Sequence, residues 1–238
     1  MAPVLLASSF NPADIKFSGL EKNKKGGKVV FLSIPDATGA KQRITIQTPI
    51  VSVPFGVTPY QEANTGEIQS YSVDMSFRGT DTDPRIAEFL TKMRLMDDIL
   101  LDAAVANSKE WFGKQMSKEI VSEFYRHIVK EPTNPQYAPV MKAKVQLNSG
   151  EPTAAFFDEQ RQARTIDYIS KGSTVKMIME LDRLWFVNKN FGATWRLLQC
   201  AVCSKPRRLE GYSFQDDGEG DDDMHTAAGG AGDVPEEF

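Results

Sequence analysis

The chain has 238 residues, 41% of them hydrophobic, with 28 Lys and Arg against 32 Asp and Glu. Nine of the acids (Asp216, Asp217, Glu219, Asp221, Asp222, Asp223, Asp233, Glu236 and Glu237) follow Gln215 with no Lys or Arg among them, so the other 23 oppose 28 bases and leave a body at +5 and a tail at −9. This asymmetry suggests a folded domain that attracts a polyanion, joined to a segment that resembles one, the alternative being a solvated acidic tail on an ordinary surface; the start, "MAPVLLASSFNPADIKF", has too short an apolar run and no basic region for a signal peptide or a membrane span, which predicts a soluble intracellular protein.

Along the chain, "KVVFLSI", the turn "PDATGA", "QRITIQTPIVSVPF", the turn "QEANTGE" and "IQSYSVDMSF" predict a strand meander. In the last of these, Tyr71, Val73, Met75 and Phe77 share one face and Ser72, Asp74, Ser76 and Arg78 the other, the pattern of a half-buried strand. A helix is expected from Pro84, because Asp83 can cap the first-turn amides and Pro84 loses nothing at the first helical position. Ile86, Phe89, Leu90, Met93, Met96, Leu100 and Ala104 then recur at helical spacing. Shorter helices are expected at "SKEWFG" and "SKEIVSEFYRHIV", making a helical insertion of about 83–130.

Strands return with "VMKAKVQLN", "STVKMIMELDRLWFVN" and "FGATWRLLQCAV", the first two joined by a long loop of about 148–172. Its Phe156, Phe157, Arg161, Arg164, Tyr168 and Lys171 are unusual for a mere linker. Cys200 and Cys203 form a lone C-x-x-C on a strand, where positions three apart face opposite ways, so both read as reduced cysteines. Neither His127 nor His225 has zinc-site spacing to them.

Three strands, a helix and further strands predict a mainly β fold over residues 1–214: an OB-fold-like antiparallel Greek-key barrel with a helix between strands 3 and 4. Other antiparallel barrels and sandwiches share that order. Residues 215–238 are too acidic and Gly-rich to offset their ordering entropy and are expected to be a disordered tail.

In "VMKAKVQLN" the alternation turns Lys142 and Lys144 outward, where two ammonium groups can follow a phosphate backbone. Arg43, Lys176 and Arg196 would extend a basic surface. Base stacking calls for aromatic residues, and "RLWFVNKNFGATWR" supplies Trp185, Phe186, Phe191 and Trp195 among Arg183, Lys189 and Arg196, about half of the rings being needed for the core. Arg164, Tyr168 and Lys171 would close the long loop over a bound strand.

Taken in order, "VMKAKVQLN", the long loop, "KGSTVKMIMELDRLWFVNKNFGATWRLLQ" and an acidic tail closing on Phe238 resemble the single-stranded-DNA-binding proteins of nucleocytoplasmic large DNA viruses and their relatives in T-odd bacteriophages. The resemblance is clearest over residues 140–202 and the tail. It implies an OB-fold that coats exposed strands in DNA replication, recombination and repair, in a host nucleus or a cytoplasmic viral replication site. It further implies a tail in which the carboxylates compete with DNA and Phe238 docks on replication partners such as a DNA polymerase; a homo-oligomer is compatible with it.

Catalysis is not expected: the sequence carries no nucleotide-binding loop, H-E-x-x-H, G-x-S-x-G or metal-ligand cluster, and no cofactor is implied. The alternative is an acidic-tailed interaction protein, a histone chaperone or virion component, without DNA-strand specificity.

Overall fold

A computed structural model describes residues 3–22, 26–181, 183–206 and 214–215. The chain separates into two units, Met1–Pro206 and Arg207–Phe238, and every secondary-structure element among the described residues lies in the first. The tail carboxylates, Phe238 and His225 lie outside the described residues.

The elements that build the site are β1 (Lys28–Pro35), β2 (Ile44–Gln47), β3 (Val51–Val53), β4 (Val57–Gln61), β5 (Ile68–Ser76), α1 (Pro84–Ala106), α2 (Ser108–Phe112), α3 (Lys118–Phe124), β6 (Tyr125–Arg126), β7 (Val140–Asn148), β8 (Ala155–Phe157), β9 (Ser173–Leu181), β10 (Arg183–Val187), β11 (Asn190–Ala193) and β12 (Trp195–Ser204). Five strand positions close a ring. Ser52 of β3 is opposite Ser76 of β5, and β5 runs antiparallel to β7 from Ser76↔Val140 to Ser70↔Gln146. Next, β7 pairs parallel with β12 at Ala143↔Trp195 and Lys144↔Arg196. From there β12 runs antiparallel to β9, and β9 pairs antiparallel with both β2 and β3. This is the five-membered Greek-key barrel of the OB-fold.

The ring closes because its long strands present alternate residues to the interior, with a register shift of β12 against β9 between Leu197 and Gln199 that returns Cys200 and Val202 to the inward face. Val73 and Met75, Met141, Ala143 and Val145, Val175, Met177 and Met179, and Leu197 and Val202 are buried and turn inward, while Lys142 and Lys144 stay outside. Cys200 sits among the inward residues, where burial pushes its thiol up to about 12, and Cys203 is half-buried on the same strand.

Helix α1 starts as its sequence predicts: the Asp83 carboxylate accepts from the Arg85 amide at 2.9 Å and Pro84 takes the first turn. Its apolar stripe is buried, Phe89 lying 5.5 Å from the Phe77 ring that follows β5. By the count of long strands along the chain the helix falls between the third and fourth. The first of those, "KVVFLSI", leaves the meander for a second sheet, so in the ring's own count α1 follows the second strand. In that second sheet β1 pairs with β10 (Leu184↔Val30, Trp185↔Val29), β10 forms a hairpin with β11, and β11 pairs parallel with β6.

Three expectations need correction. "STVKMIMELDRLWFVN" is too long for one strand of a small barrel, and it divides into β9 inside the ring and β10 outside it. The last helix ends at Phe124 rather than continuing through "YRHIV", because the Asp97 carboxylate captures the amides of Ile128 at 2.8 Å and Val129 at 3.1 Å and the Tyr125 hydroxyl at 2.6 Å. The two amides cannot also serve a helix. The long loop is a folded element: β8 adds to β12 in parallel, Ala163–Arg164 turns back onto β8, and Ile166 and Ile169 are buried.

Candidate nucleic-acid interface

Strands β5 and β7 lie side by side on the outer barrel face, with Lys142 opposite Asp74 and Lys144 opposite Ser72. Over this face runs a groove of about 330 Å³. Lys142 and Lys144 form its basic floor. Tyr60 on β4 and Tyr71 on β5 border one side, and Trp185 of the β10–β11 hairpin another. Arg126, His127 and Lys130, from the extended strap that follows α3, supply a third wall, and no Asp or Glu lines the groove. In a five-stranded Greek-key barrel of this kind the face of the second and third strands, with the loops joining strands 1–2 and 4–5, is where oligonucleotides bind. Here β4 lies in the first of those loops and the β10–β11 hairpin in the second.

The side chains are positioned with different firmness. Lys142 stands 3.8 Å from Asp74, whereas Lys144 has no ion-pair partner among the described residues. The Trp185 indole N–H donates to Thr194 Oγ1 at 3.0 Å, which fixes the ring at the hairpin edge. Tyr60 is 65% exposed, so its ring face is open. The strap is held from behind by Asp97, whose carboxyl is raised above the usual range by burial, although the Tyr125 hydroxyl and the Ile128 and Val129 amides pull against that rise. The same burial, with the neighbouring Asp97 charge, raises the Tyr125 phenol.

Of the residues singled out in the sequence, the structure brings Lys142, Lys144, Trp185 and Trp195 to the groove. Trp195 is only 1% exposed and lies beneath the groove, with its indole N–H buried and without a hydrogen-bond partner among the described residues, so its ring is not open to stack on a base. Phe191 is fully buried, its ring 5.3 Å from Phe112 and 5.1 Å from Tyr125, and a ring with no open face cannot stack on a base. That corrects its assignment to the binding surface. Arg43 and Arg196 both hold the Glu180 carboxylate, which is 7% exposed; Arg43 reaches it at 3.3 Å, and Arg196 also reaches Gln146 at 3.4 Å. Neither lines the groove.

Arg164, Tyr168, Lys171 and Lys176 stand away from it as well. Arg164 is bound to the buried Asp158 carboxylate at 2.7 Å and lies 5.4 Å from the Tyr168 ring centre; the Tyr168 hydroxyl donates to Glu159 at 2.8 Å, and Lys205 Nζ lies 3.1 Å above the same ring. With these groups engaged among themselves, the expected closure of this loop over a strand has no free side chains at Arg164 or Tyr168 to perform it. Lys176 borders a separate hollow with Phe157 and Arg161. Lys189 stands at the tip of the β10–β11 hairpin, on its face away from the groove.

Sequence reasoning did not assign Tyr60, Tyr71, Arg126, His127 and Lys130 to the binding surface. Tyr71 shares the face of the buried Val73 and Met75, but it is only half-buried and lines the groove. Arg126 and His127 were hidden inside a segment read as helix, and Lys130 directly follows it. An exposed Tyr in a turn-flanked "VTPYQ" was the available signal for Tyr60.

Among the described residues no group of His, Cys, Asp and Glu is placed to hold a metal ion, and no helix is long and apolar enough to cross a membrane. Among solved structures, the chain is similar to the single-stranded DNA binding protein gp2.5 encoded by bacteriophage T7, at 14% identity over 79% of this chain and 100% of that one with a TM-score of 0.44. It is also similar to the single-stranded DNA-binding protein from bacteriophage Enc34 in complex with ssDNA, at 13% identity over 81% of this chain and 98% of that one with a TM-score of 0.41. Among curated proteins it is 28% identical over 170 residues to the uncharacterized protein L291 of Acanthamoeba polyphaga mimivirus; the match takes in 68% of this chain, and the chain spans only 26% of that protein's length. Residues 78–216, more than half of the chain and including α1, the strap and barrel strands β7, β9 and β12, match the family of unknown function DUF5871, and the chain belongs to that family.

Proposed function

We propose that the protein binds single-stranded DNA in the β5–β7 groove, without catalysis and with little sequence preference. The observation that carries this reading is the groove's lining: Arg126, Lys130, Lys142 and Lys144, with no carboxylate among them, beside the rings of Tyr60, Tyr71 and Trp185. Phosphates need the first set and bases the second, since strand binding without sequence readout combines a basic track with aromatic platforms, each stack contributing roughly 1–3 kcal/mol.

The finer reading follows the sequence. The chain acts as the single-stranded-DNA-binding proteins of large DNA viruses do, covering strands exposed in replication, recombination and repair. Residues 215–238 form an acidic tail whose carboxylates compete with the strand for the basic groove and whose Phe238 recruits a replication partner such as a DNA polymerase. Binding of a strand then frees the tail, which couples coating to recruitment.

The test is Lys142→Ala with Lys144→Ala. Both side chains are exposed on a strand whose inward residues are untouched. If each meets one phosphate, log affinity plotted against log salt loses about 1.4 from its slope, at roughly 0.7 per phosphate for single strands, while Tyr60→Ala lowers affinity without changing the slope. An unaltered slope in the lysine variant would remove the groove as the binding track. Equal affinity for RNA of the same length would widen the ligand class to single strands generally.

A further inference from the structure

The β10–β11 hairpin has a second side. Trp185 and Phe186 are consecutive in a strand and so point to opposite faces; Trp185 borders the groove, and Phe186 borders a separate cavity of about 330 Å³. Half-buried Phe112, Phe124 and Phe186 wall this cavity, and exposed Lys28, Lys114 and Lys189 stand around its mouth with no Asp or Glu among the lining residues. Lys28 is tethered, its Nζ donating to the Trp111 carbonyl at 3.1 Å, while Lys114 and Lys189 have no ion-pair partner among the described residues. Asn188 and Asn190 add amides that can pair with the edge of a base.

The cavity and the groove meet at one hydrogen bond. Arg126 lines the groove, Asn190 lines the cavity, and the Arg126 guanidinium donates to Asn190 Oδ1 at 2.6 Å. A strand leaving the groove past Trp185 crosses this pair before it reaches Lys189. We propose that the cavity is a second subsite of the same interface, which takes a base of the single strand against its phenylalanine walls while Lys114 and Lys189 hold the flanking phosphates. The helical insertion that carries Phe112, Lys114 and Phe124 thereby lengthens the barrel's footprint. This inference rests on the groove reading above. Continuity across Arg126 and Asn190 favours a nucleic-acid strand over an acidic peptide, for which the basic mouth alone would serve.

The experiment compares the wild-type full chain with Lys114→Ala/Lys189→Ala on two oligothymidylates, one of about 5 nucleotides that the groove alone accommodates and one of about 16. Two phosphate contacts confined to the long ligand predict that its salt slope falls by about 1.4 and its affinity at low salt by about tenfold, with the short ligand unchanged. Equal loss on both lengths, or loss on neither, overturns the subsite. A synthetic peptide GDVPEEF that binds the wild type and not the variant, while the long oligonucleotide binds both alike, assigns the cavity to acidic peptides and also overturns it. If the wild type binds neither oligonucleotide, the groove reading has failed and the subsite falls with it, an outcome distinct from failure in the variant alone.

Discussion

Asp97 does the work of several residues. Its carboxylate, on α1, satisfies the Tyr125 hydroxyl and the Ile128 and Val129 amides, and so decides that the chain after α3 runs as a strap over the groove rather than as more helix. Asp97→Ala leaves these buried donors unsatisfied and is expected to cost about 2–3 kcal/mol in denaturant unfolding. It should also weaken strand binding, because Arg126, His127 and Lys130 lose their support. Full stability would mean that the strap is held by other means. Asp158 plays the matching part in the connection before β9. Burial works to raise its carboxyl, but the Gln162 and Gln160 amides and the Arg164 guanidinium outweigh burial and hold it below the usual carboxylate range. A carboxyl lowered in the folded state contributes stability that is present above its unfolded value near pH 4 and is lost as pH falls through the folded value. Asp158→Asn should therefore flatten the acid limb of a stability–pH curve below about pH 4, and an unchanged limb would count against the pairing.

At the scale of elements, the β10–β11 hairpin and the strap share one tight crossing at Gly192. A Cβ there would meet the Arg126 carbonyl oxygen at 3.0 Å, Trp185 Cζ2 at 3.1 Å and Arg126 Cβ at 3.2 Å. Backbone oxygen cannot yield as a flexible side chain can, so Gly192→Ala should force the strap from the hairpin, cost about 1–3 kcal/mol and displace Trp185. Reduced stability together with a shifted Trp185 emission would confirm the crossing; wild-type stability and binding would show that it is loose. The same elements mark what was legible in the sequence. Strands that face the core on one side announced themselves: "VMKAKVQLN" put Lys142 and Lys144 outside because period-two alternation admits no other register. Segments fixed by distant partners did not. "KVVFLSI" alternates well enough but pairs with β10 far along the chain, and "YRHIV" carries a helical pattern that one remote carboxylate overrides. Aromatic density alone could not sort stacking rings from core rings, so Phe191 and the exposed Tyr60 were exchanged in importance.

For the whole molecule, the separation of +5 from −9 along the chain is the feature on which regulation would turn. If the tail imitates a strand, converting Asp216, Asp217, Glu219, Asp221, Asp222 and Asp223 to their amides should raise DNA affinity, most at low salt, where the Debye length reaches about 30 Å. Phe238→Ala should leave that titration nearly unchanged while weakening a replication partner by tenfold or more, as loss of one buried apolar side chain at roughly 1.5–3 kcal/mol requires. A strong effect of Phe238→Ala on DNA binding would instead make the ring part of the strand competition. All of this depends on the groove holding a single strand. The most direct measurement is a titration of the full chain with single-stranded and duplex DNA of equal length, from about 50 to 200 mM salt. The groove predicts tighter binding of the single strand and a log affinity that falls linearly with log salt; equal or tighter binding of the duplex, or an affinity indifferent to salt, would contradict it.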